Sequence, residues 1–308
     1  MKVYKDLSAL PKFEKAVITT GSFDGVHSGH LQIIEQLKKE ASKIGGTPVL
    51  ITFYPHPKQV IVMKERALHI LNTPTEKYNL LAENGIENIV VVNFDAAFSE
   101  LTAEQYVSDF LVKYFTPSAI VVGYDHRFGK NREGNFDLLK SLEAKYNFEI
   151  KEIPELVLTN ITISSTKIRE AMLAGEIEKA ALFLKYDYFF SGLVVLGKQL
   201  GRTIGFPTAN LQIEDEHKLI PANGVYAVDV KLGSRKLKGM MNIGFRPTVD
   251  GKMRTIEVNI FDFDEDIYGD ELTITLKNSL RLEQKFDGLD ALKAQLKKDE
   301  ILAREVNG

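Results

Sequence analysis

The chain has 308 residues, no cysteine, 44% hydrophobic and 26% charged residues, and a formal net charge of −3. These values are typical of a globular protein of about two domains. They exclude disulfides and a cysteine-built zinc site, and the small negative charge argues against a nonspecific nucleic-acid binder. We expect a cytoplasmic protein, because the first residues lack the apolar core of a signal peptide and the apolar runs are too short to cross a membrane.

The first half of the chain alternates short β-branched runs with helical stretches. The strands are predicted at residues 16–20, 48–53, 88–94, 119–123 and 148–153, and the helices at about 29–43, 103–115, 134–146, 165–174 and 176–184. Continuous apolar strands that alternate with helices are typical of a parallel sheet covered on both faces. We therefore predict an α/β domain over residues 1–185.

The second half of the chain alternates strands with turns, and it predicts an all-β antiparallel domain over residues 186–308. Its clearest strands are predicted at 188–196, 224–232, 236–243, 254–262 and 271–277, with a hairpin turn within 231–237. Short strands of this kind with glycine-rich corners predict a small closed barrel of six strands. An amphipathic helix is predicted over 288–306, with an apolar stripe formed by Leu289, Leu292, Leu296, Ile301 and Leu302.

The most distinctive stretch of the first half is "GSFDGVHSGH", residues 21–30, which lies between a strand and a helix. Ligands of parallel sheets gather beyond the carboxyl ends of the strands, and the unpaired N–H groups of a helix N-terminus attract anions. His27 and His30 can donate hydrogen bonds to a phosphate there, and the glycines let the backbone approach it. Two alternatives stay open from the residues alone: a tight turn with two surface histidines, and a metal site without an obvious third ligand.

Four segments of this half carry a family resemblance. Residues 21–30 resemble the G-x-F-D-x-x-H-x-G-H signature of the nucleotidylyltransferase superfamily, and "ISSTKIR" (163–169) resembles the I-S-S-T-x-I-R element of bacterial FAD synthetases. The segments "GYDHRFGKNREGN" (123–135) and "TFYPHP" (52–57) are similar to two further elements of that family. Tyr54 stands where the family usually has an acidic or small polar residue, and His126 stands where it usually has Phe.

The resemblance implies a Rossmann-like nucleotidylyltransferase domain that binds ATP and transfers AMP to FMN. It implies catalytic roles for His27, His30 and Arg169. The residues that it implies for ATP and phosphate binding are Gly21, Phe23, Asp24, Gly29, Asp125, Ser165 and Thr166, and those for flavin binding are Pro55, Pro57 and Arg127. Taken singly, a Ser-Ser-Thr before a helix is usually only a cap, and a Pro-His-Pro segment is usually only a rigid loop.

The most distinctive stretch of the second half is "GKQLGRTIGFPTANL", residues 197–211. Its glycines can form a flap over phosphates, and Arg202 offers them a cationic fork. Thr208 and Asn210 lie two residues apart, so an extended segment presents their neutral oxygens on one side. Because Mg²⁺ prefers oxygen ligands and is shared with substrate phosphates, the pair are candidate metal ligands. The alternative, from the residues alone, is a Gly/Pro-rich barrel corner.

This stretch resembles the G-x-x-x-G-R-x-x-G-x-P-T-A-N element of riboflavin kinases. The segment "TIEVNIFDFDEDIYGDEL" (255–272) resembles the one that carries the catalytic acid/base of the same enzymes. The resemblance implies a six-stranded flavokinase barrel in which Glu257 is the catalytic base, with phosphate contacts from Gly201, Arg202 and Gly205 and Mg²⁺ ligands from Thr208 and Asn210. The alternative for Glu257 is a solvated carboxylate on the face of a strand.

The order of the two resemblances matches the prokaryotic bifunctional riboflavin kinase/FAD synthetases. It implies that the second domain phosphorylates riboflavin to FMN and the first adenylylates FMN to FAD, with Mg²⁺ as cofactor, ATP as co-substrate, and no nucleic-acid or membrane partner. Three alternatives remain: one inactive domain, a flavin sensor without turnover, or an adenylyltransferase for another acceptor such as pantetheine phosphate. The intact set of Thr208, Asn210 and Glu257 argues against a sensor, and the barrel argues against another acceptor.

Overall fold

The chain divides into two compact units, Met1–Ser165 and Thr166–Gly308. The computed structural model describes residues 1–61, 68–153, 163–197, 199–248 and 251–306. The helices Ser165–Ala174 and Ile177–Leu184, which the sequence analysis assigns to the first domain, fall largely in the second unit of this division. The domain boundary at 185/186 therefore stays a prediction.

The first unit is a parallel sheet with helices between its strands. Its strands are β1 (Lys2–Tyr4), β2 (Val17–Thr20), β3 (Pro48–Tyr54), β4 (Asn88–Asn93), β5 (Ala119–Gly123) and β6 (Glu149–Ile153). Its helices are α1 (Ser28–Ile44), α2 (Pro57–Ile61), α3 (Pro74–Glu83), α4 (Ala96–Ser99), α5 (Ala103–Gln105), a π-helix (Tyr106–Val112), α6 (Lys113–Phe115) and α7 (Phe136–Tyr146), with 3₁₀ turns at Leu7–Ala9 and Lys130–Arg132.

The strand order of this sheet places a crevice beside β2. The order is β1-β4-β3-β2-β5-β6, and every pairing is parallel. From β2 the chain builds outward through β3 and β4, and it then crosses to the other side of β2 to form β5. Ligands of such sheets bind where the strand order reverses, outside the carboxyl ends of the strands. A ligand site is therefore expected at the segments that follow β2 and β5.

The second unit is a closed antiparallel barrel with the strand order β10-β11-β8-β7-β12-β9. Its strands are β7 (Phe189–Val195), β8 (Ala209–Gln212), β9 (Gly224–Leu232), β10 (Arg235–Thr248), β11 (Gly251–Ile260) and β12 (Glu271–Leu282). Its helices are Ser165–Ala174, Ile177–Leu184, Leu200–Thr203 and Leu289–Val306. The six-stranded barrel, its terminal helix and the parallel sheet confirm the predicted fold class. No helix in the described part of the chain is long and apolar enough to span a membrane.

The C-terminal helix corrects one prediction. Three positions of its expected apolar stripe are wrong, because Leu289, Ile301 and Leu302 are 67%, 58% and 46% exposed. Leu292 and Leu296 are half-buried, and Leu296 packs against the barrel core. The helix also buries Asp299, whose carboxylate accepts three hydrogen bonds of 2.8–3.0 Å from the guanidinium of Arg281 on β12. An ion pair therefore shares the buried face of the helix with leucine packing.

Candidate functional site

The turn after β2 is held in an unusual backbone conformation. Phe23 and Val26 have positive φ angles of 48° and 36°, which non-glycine residues rarely adopt, and both side chains are buried. The Asp24 carboxylate accepts hydrogen bonds from the backbone N–H groups of Leu71 (2.9 Å) and Asn72 (3.3 Å). Such backbone strain persists only where surrounding contacts hold the residues in place, and it is concentrated at functional sites.

Two other contacts tie the predicted nucleotide residues to this turn. The N–H of Gly21 donates to the carbonyl of Ile51 on β3 (3.1 Å), and Ser165 Oγ donates to the carbonyl of Asp24 (2.9 Å). The structure thus joins Ser165 to the turn. Thr166 and Arg169 follow on the helix Ser165–Ala174 and are counted with the second unit; Thr166 is exposed and Arg169 is buried.

The two imidazoles of the turn are stacked on each other. His27 is the N-cap residue of α1 and His30 lies in its first turn, with ring centroids 3.7 Å apart and an interplanar angle of 16°. A Cβ on Gly29 would lie 3.3 Å from the His27 ring, so glycine leaves room for this arrangement. Burial, His27 and Lys77 lower the pKa of His30 well below its ordinary value of 6.5. At neutral pH His30 is therefore an uncharged hydrogen-bonding group.

A small cavity of about 20 Å³ lies next to this turn, on the side predicted to bind flavin. Its lining includes Asp24, Tyr54, His56, Asn72 and Lys77. The peptide bond Tyr54–Pro55 is cis, and Pro57 begins α2. Arg127, the third predicted flavin residue, is exposed, and its Nη1 donates to the carbonyl of His126 (3.3 Å).

The segment after β5 meets the end of β2 through His126. Its Nε2 lies 3.5 Å from Thr20 Oγ1, which also accepts a hydrogen bond from the hydroxyl of Tyr106 (3.1 Å). The His126 ring stacks on Phe128 with centroids 5.7 Å apart. Burial lowers the pKa of His126 to about 4. Asp125, a predicted nucleotide residue beside it, is exposed. Neither Thr20 nor Tyr106 lies in a recognised motif, so no sequence pattern indicated a role for either residue.

In the barrel, strand pairing brings the predicted catalytic and metal residues together. Asn210 on β8 is the register partner of Glu257 on β11. Thr208 Oγ1 donates to Glu257 Oε2 at 3.3 Å. A Cβ on Gly197 would lie 2.2 Å from the side-chain nitrogen of Asn210, so the chain passes close over that amide. Hydroxyl, amide and carboxylate oxygens are the donor types that Mg²⁺ prefers, so this set fits the ion.

A cavity of about 300 Å³ opens beside these residues in the barrel unit. Its lining includes Arg202, Thr208, Val258, Ile260 and Tyr268. This volume is at the lower end of the range for small-molecule sites, and the mixture of apolar walls and polar groups is also typical of them. The sequence predicts the first two of these residues; Tyr268 lies in the matched 255–272 segment but had no assigned role.

The predicted glycines of the barrel lie at the edge of this site. Gly201 belongs to the short helix Leu200–Thr203, and its carbonyl accepts a hydrogen bond from the N–H of Phe206 (2.8 Å). A Cβ on Gly201 would lie 2.2 Å from the Phe206 carbonyl oxygen, which makes glycine necessary for this close approach. Gly205 has a φ of +85°, in the left-handed region.

The two arrangements are typical of a two-part nucleotide-dependent transferase, with a strained turn before a helix N-terminus at the switch point of a parallel sheet and a carboxylate beside neutral oxygens on a barrel. The FAD synthetase family model matches residues 10–167, and the riboflavin kinase family model matches residues 184–307. The chain belongs to the family of bifunctional riboflavin kinase/FMN adenylyltransferases, with the FAD synthetase part first.

Relatives of this chain are similar over nearly its whole length. The bifunctional riboflavin kinase/FMN adenylyltransferase of Escherichia coli (strain K12) is 40% identical over 304 residues, which cover 98% of this chain and 96% of the relative. The protein of the same name from Listeria monocytogenes is 38% identical over 286 residues, with 92% and 90% coverage. A crystal structure from Streptococcus pneumoniae, described as a macrolide-efflux protein, is 33% identical, with a TM-score of 0.86 and 98% coverage of both chains.

Proposed function

We propose that the barrel unit transfers the γ-phosphoryl group of ATP to the 5′-hydroxyl of riboflavin, giving FMN and ADP. The sheet unit then transfers AMP from a second ATP to the FMN phosphate, giving FAD and pyrophosphate. The observation that carries this proposal is the presence of one chemically distinct polar site in each unit: Glu257 with Thr208 in the barrel, and the stacked His27 and His30 at a helix N-terminus in the sheet unit.

For the kinase step, the nucleophile is a neutral alcohol whose proton must be accepted. Glu257 accepts it, because its carboxylate is hydrogen-bonded to Thr208, which lines the barrel cavity. Arg202 and the glycines Gly201 and Gly205 contact the phosphates. Thr208 and Asn210 would hold Mg²⁺, which when bound would offset the negative charge of the ATP phosphates.

For the adenylyl transfer, the nucleophile is an FMN phosphate that is already ionised, so no general base is needed. The site must instead donate hydrogen bonds and offset the charge of the transition state. His27, His30 and the N-terminus of α1 supply donors at the turn. Since His30 is uncharged before ATP binds, a phosphate beside it favours the protonated form and raises its pKa.

The other residues that the family resemblance implies are part of the same proposed mechanism. Arg169 adds a fixed positive charge, and the ATP contacts are Gly21, Phe23, Asp24, Gly29, Asp125, Ser165 and Thr166, with flavin contacts from Pro55, Pro57 and Arg127. We also propose a cytoplasmic location and small molecules as the partners, with no role for nucleic acid or a membrane.

Separation of the flavins formed from riboflavin, ATP and Mg²⁺ tests the proposal. The unaltered protein should form FMN and then FAD. His30→Ala should form FMN and little FAD, whereas Glu257→Gln should fail with riboflavin but convert supplied FMN to FAD. FMN alone from the unaltered protein would indicate an inactive sheet unit, and flavin binding without ATP consumption would indicate a sensor.

Matched controls separate these effects from loss of folding. His217→Ala changes a partly exposed histidine and Glu271→Gln an exposed glutamate, and both variants should keep both activities. Chelation of Mg²⁺ with EDTA should stop FMN formation, and added Mg²⁺ should restore it. Equal loss of both activities in His30→Ala or in Glu257→Gln, with an unchanged melting temperature, would contradict the assignment of one reaction to each unit.

A further inference from the structure

A buried lysine lies behind the anion-binding turn. Lys77 on α3 is 7% exposed, and its Nζ donates to the carbonyl of Ser22 in the turn (3.1 Å) and to Thr52 Oγ1 on β3 (3.0 Å). Thr52 Oγ1 in turn donates to the same Ser22 carbonyl (3.1 Å). The three groups join the helix α3, the strand β3 and the turn at one point. Lys77 also lines the small cavity next to the turn.

Packing alone does not account for a lysine at this position. Burial lowers the pKa of Lys77 to about 8, an effect that the nearby Asp24 carboxylate opposes. Removing an ammonium group from water is costly, and an apolar side chain of similar length would fill the same space without that cost. The presence of a cation here is therefore better explained by a requirement of the neighbouring turn than by core packing.

The contact with Ser22 fixes the direction of a peptide group. In a trans peptide the C=O and the following N–H point in opposite directions. With the Ser22 carbonyl held towards Lys77 Nζ, the N–H of Phe23 points away from the lysine. Anion-binding turns need their N–H groups turned towards the ligand and their carbonyls turned away from it. Lys77 thus stabilises a backbone arrangement that the positive φ of Phe23 would otherwise make unfavourable.

The charge of Lys77 also complements the neutral imidazole of His30. The pKa of His30 is held well below its ordinary value, so this ring brings a hydrogen-bond donor to the turn rather than a stable positive charge. Lys77 is close enough to contribute to that shift, and its ammonium is carried by a side chain fixed by two hydrogen bonds. A preorganised charge in a water-poor site stabilises developing negative charge more strongly than a mobile surface charge does.

We propose that Lys77 is a positioning residue for the adenylyl transfer: it holds the turn in its phosphate-binding conformation and places a fixed positive charge behind it. The inference rests on the function proposed for the sheet unit. Lys77 acts through the backbone of the turn and through its charge, so its removal should lower the rate of FAD formation and leave the kinase reaction of the barrel unit unchanged.

Three variants test the inference, with FAD formation from supplied FMN and FMN formation from riboflavin measured on each preparation. Lys77→Met removes the charge and both hydrogen bonds, and it should lower kcat for FAD formation about ten- to hundredfold, the range expected for a lost charge-assisted hydrogen bond. Lys77→Arg keeps the charge and should recover part of that loss. The control Lys38→Met removes an exposed lysine that donates to the carbonyl of Asn84 (3.0 Å), and it should change neither reaction.

A pH profile tests the charge without relying on the methionine variant. The titratable groups that face Lys77 are Asp24 from the turn, His30 from α1, and Tyr54 and His56 at the rim of the cavity. In the unaltered protein the rate of FAD formation should fall as pH rises past the pKa of Lys77, while Lys77→Arg should lose this fall. The kinase reaction, measured at the same pH values, corrects for general effects of alkaline pH.

Three results would overturn the inference. One is a folded Lys77→Met variant with full FAD formation, and another is an equal fall in both reactions. The third is a fall in the rate of FAD formation at alkaline pH that is the same in Lys77→Arg and in the unaltered protein. Each leaves the proposed function standing, because that depends on FAD being formed at all and on its loss in His30→Ala.

Discussion

Replacement of His126 by phenylalanine should remove a specific acid sensitivity from the sheet unit. Burial lowers the pKa of His126 to about 4; Asp125 opposes this shift, and Arg132 and Arg127 add to it. The unfolded chain, whose histidines titrate near 6.5, therefore binds a proton at a higher pH than the folded chain does. Stability contributed by the neutral imidazole is present above pH 6.5 and is lost as pH falls towards 4.

The size of the effect follows from the two pKa values. The difference between 6.5 and about 4, at about 1.4 kcal/mol for each pKa unit, sets a ceiling of about 3.5 kcal/mol for complete protonation. At pH 5 the unfolded imidazole is almost fully protonated while the folded one is mostly neutral, and the same relation gives about 2 kcal/mol. A phenylalanine can keep the stacking on Phe128 and carries no titratable group.

Amide hydrogen exchange of β5 (Ala119–Gly123) at pH 7.5 and pH 5.0 measures this effect in the sheet unit alone. Between these pH values the unaltered protein should lose about 2 kcal/mol more stability than His126→Phe does, because the shift of His30 and all other titrations are common to both. FAD formation at pH 7.5 should remain. An equal loss in the two proteins, or an NMR titration of His126 near pH 6.5, would refute the reasoning.

Two further changes address the barrel unit. Gly201→Ala places a Cβ 2.2 Å from the carbonyl oxygen of Phe206, so the segment before Thr208 must move. The KM for ATP in FMN formation should therefore rise, while FAD formation is unaffected. An unchanged KM would contradict the phosphate role of this segment. Asp299→Ala leaves Arg281 without its buried carboxylate and should lower the stability of the barrel by about 3 kcal/mol in thermal unfolding. Asp290→Ala, an exposed position on the same helix, is the control, and equal melting temperatures for the two variants would contradict the importance of the ion pair.

Periodicity predicted most strands of the fold and missed two short ones. The strands β3, β5 and β9 were predicted within a residue or so of their observed ends, because continuous or alternating apolar runs persist along them. By contrast, β1 (three residues) and β8 (four residues) lack the β-branched run that marks the equally short β2. The helix predicted at 103–115 contains a π-helical section, Tyr106–Val112, that leaves no signature in the order of apolar residues.

The motif residues of the site were predictable, whereas their electrostatic state was not. The sequence placed His27 and His30 at a strand-to-helix turn, and Thr208 and Asn210 on an extended segment; in the structure the two imidazoles stack, and Asn210 pairs in register with Glu257. The sequence could not show that the surroundings of His30 lower its pKa, since they include groups from distant elements such as Lys77. Lys77 was missed for the same reason, because a lysine on a mixed polar helix is usually exposed.

The chemistry of the two proposed reactions explains why one chain would carry two ATP sites instead of one. A carboxylate that accepts the proton of an alcohol, the role we propose for Glu257, would repel an FMN phosphate brought to the same place. The turn of the sheet unit would offer His30, a helix N-terminus and the charge of Lys77 to a phosphate. The same groups would favour the ionised form of any carboxylate beside them and so weaken that carboxylate as a base. The two nucleophiles therefore require opposite local fields, and separate folds for the two sites allow each field to be set without compromise.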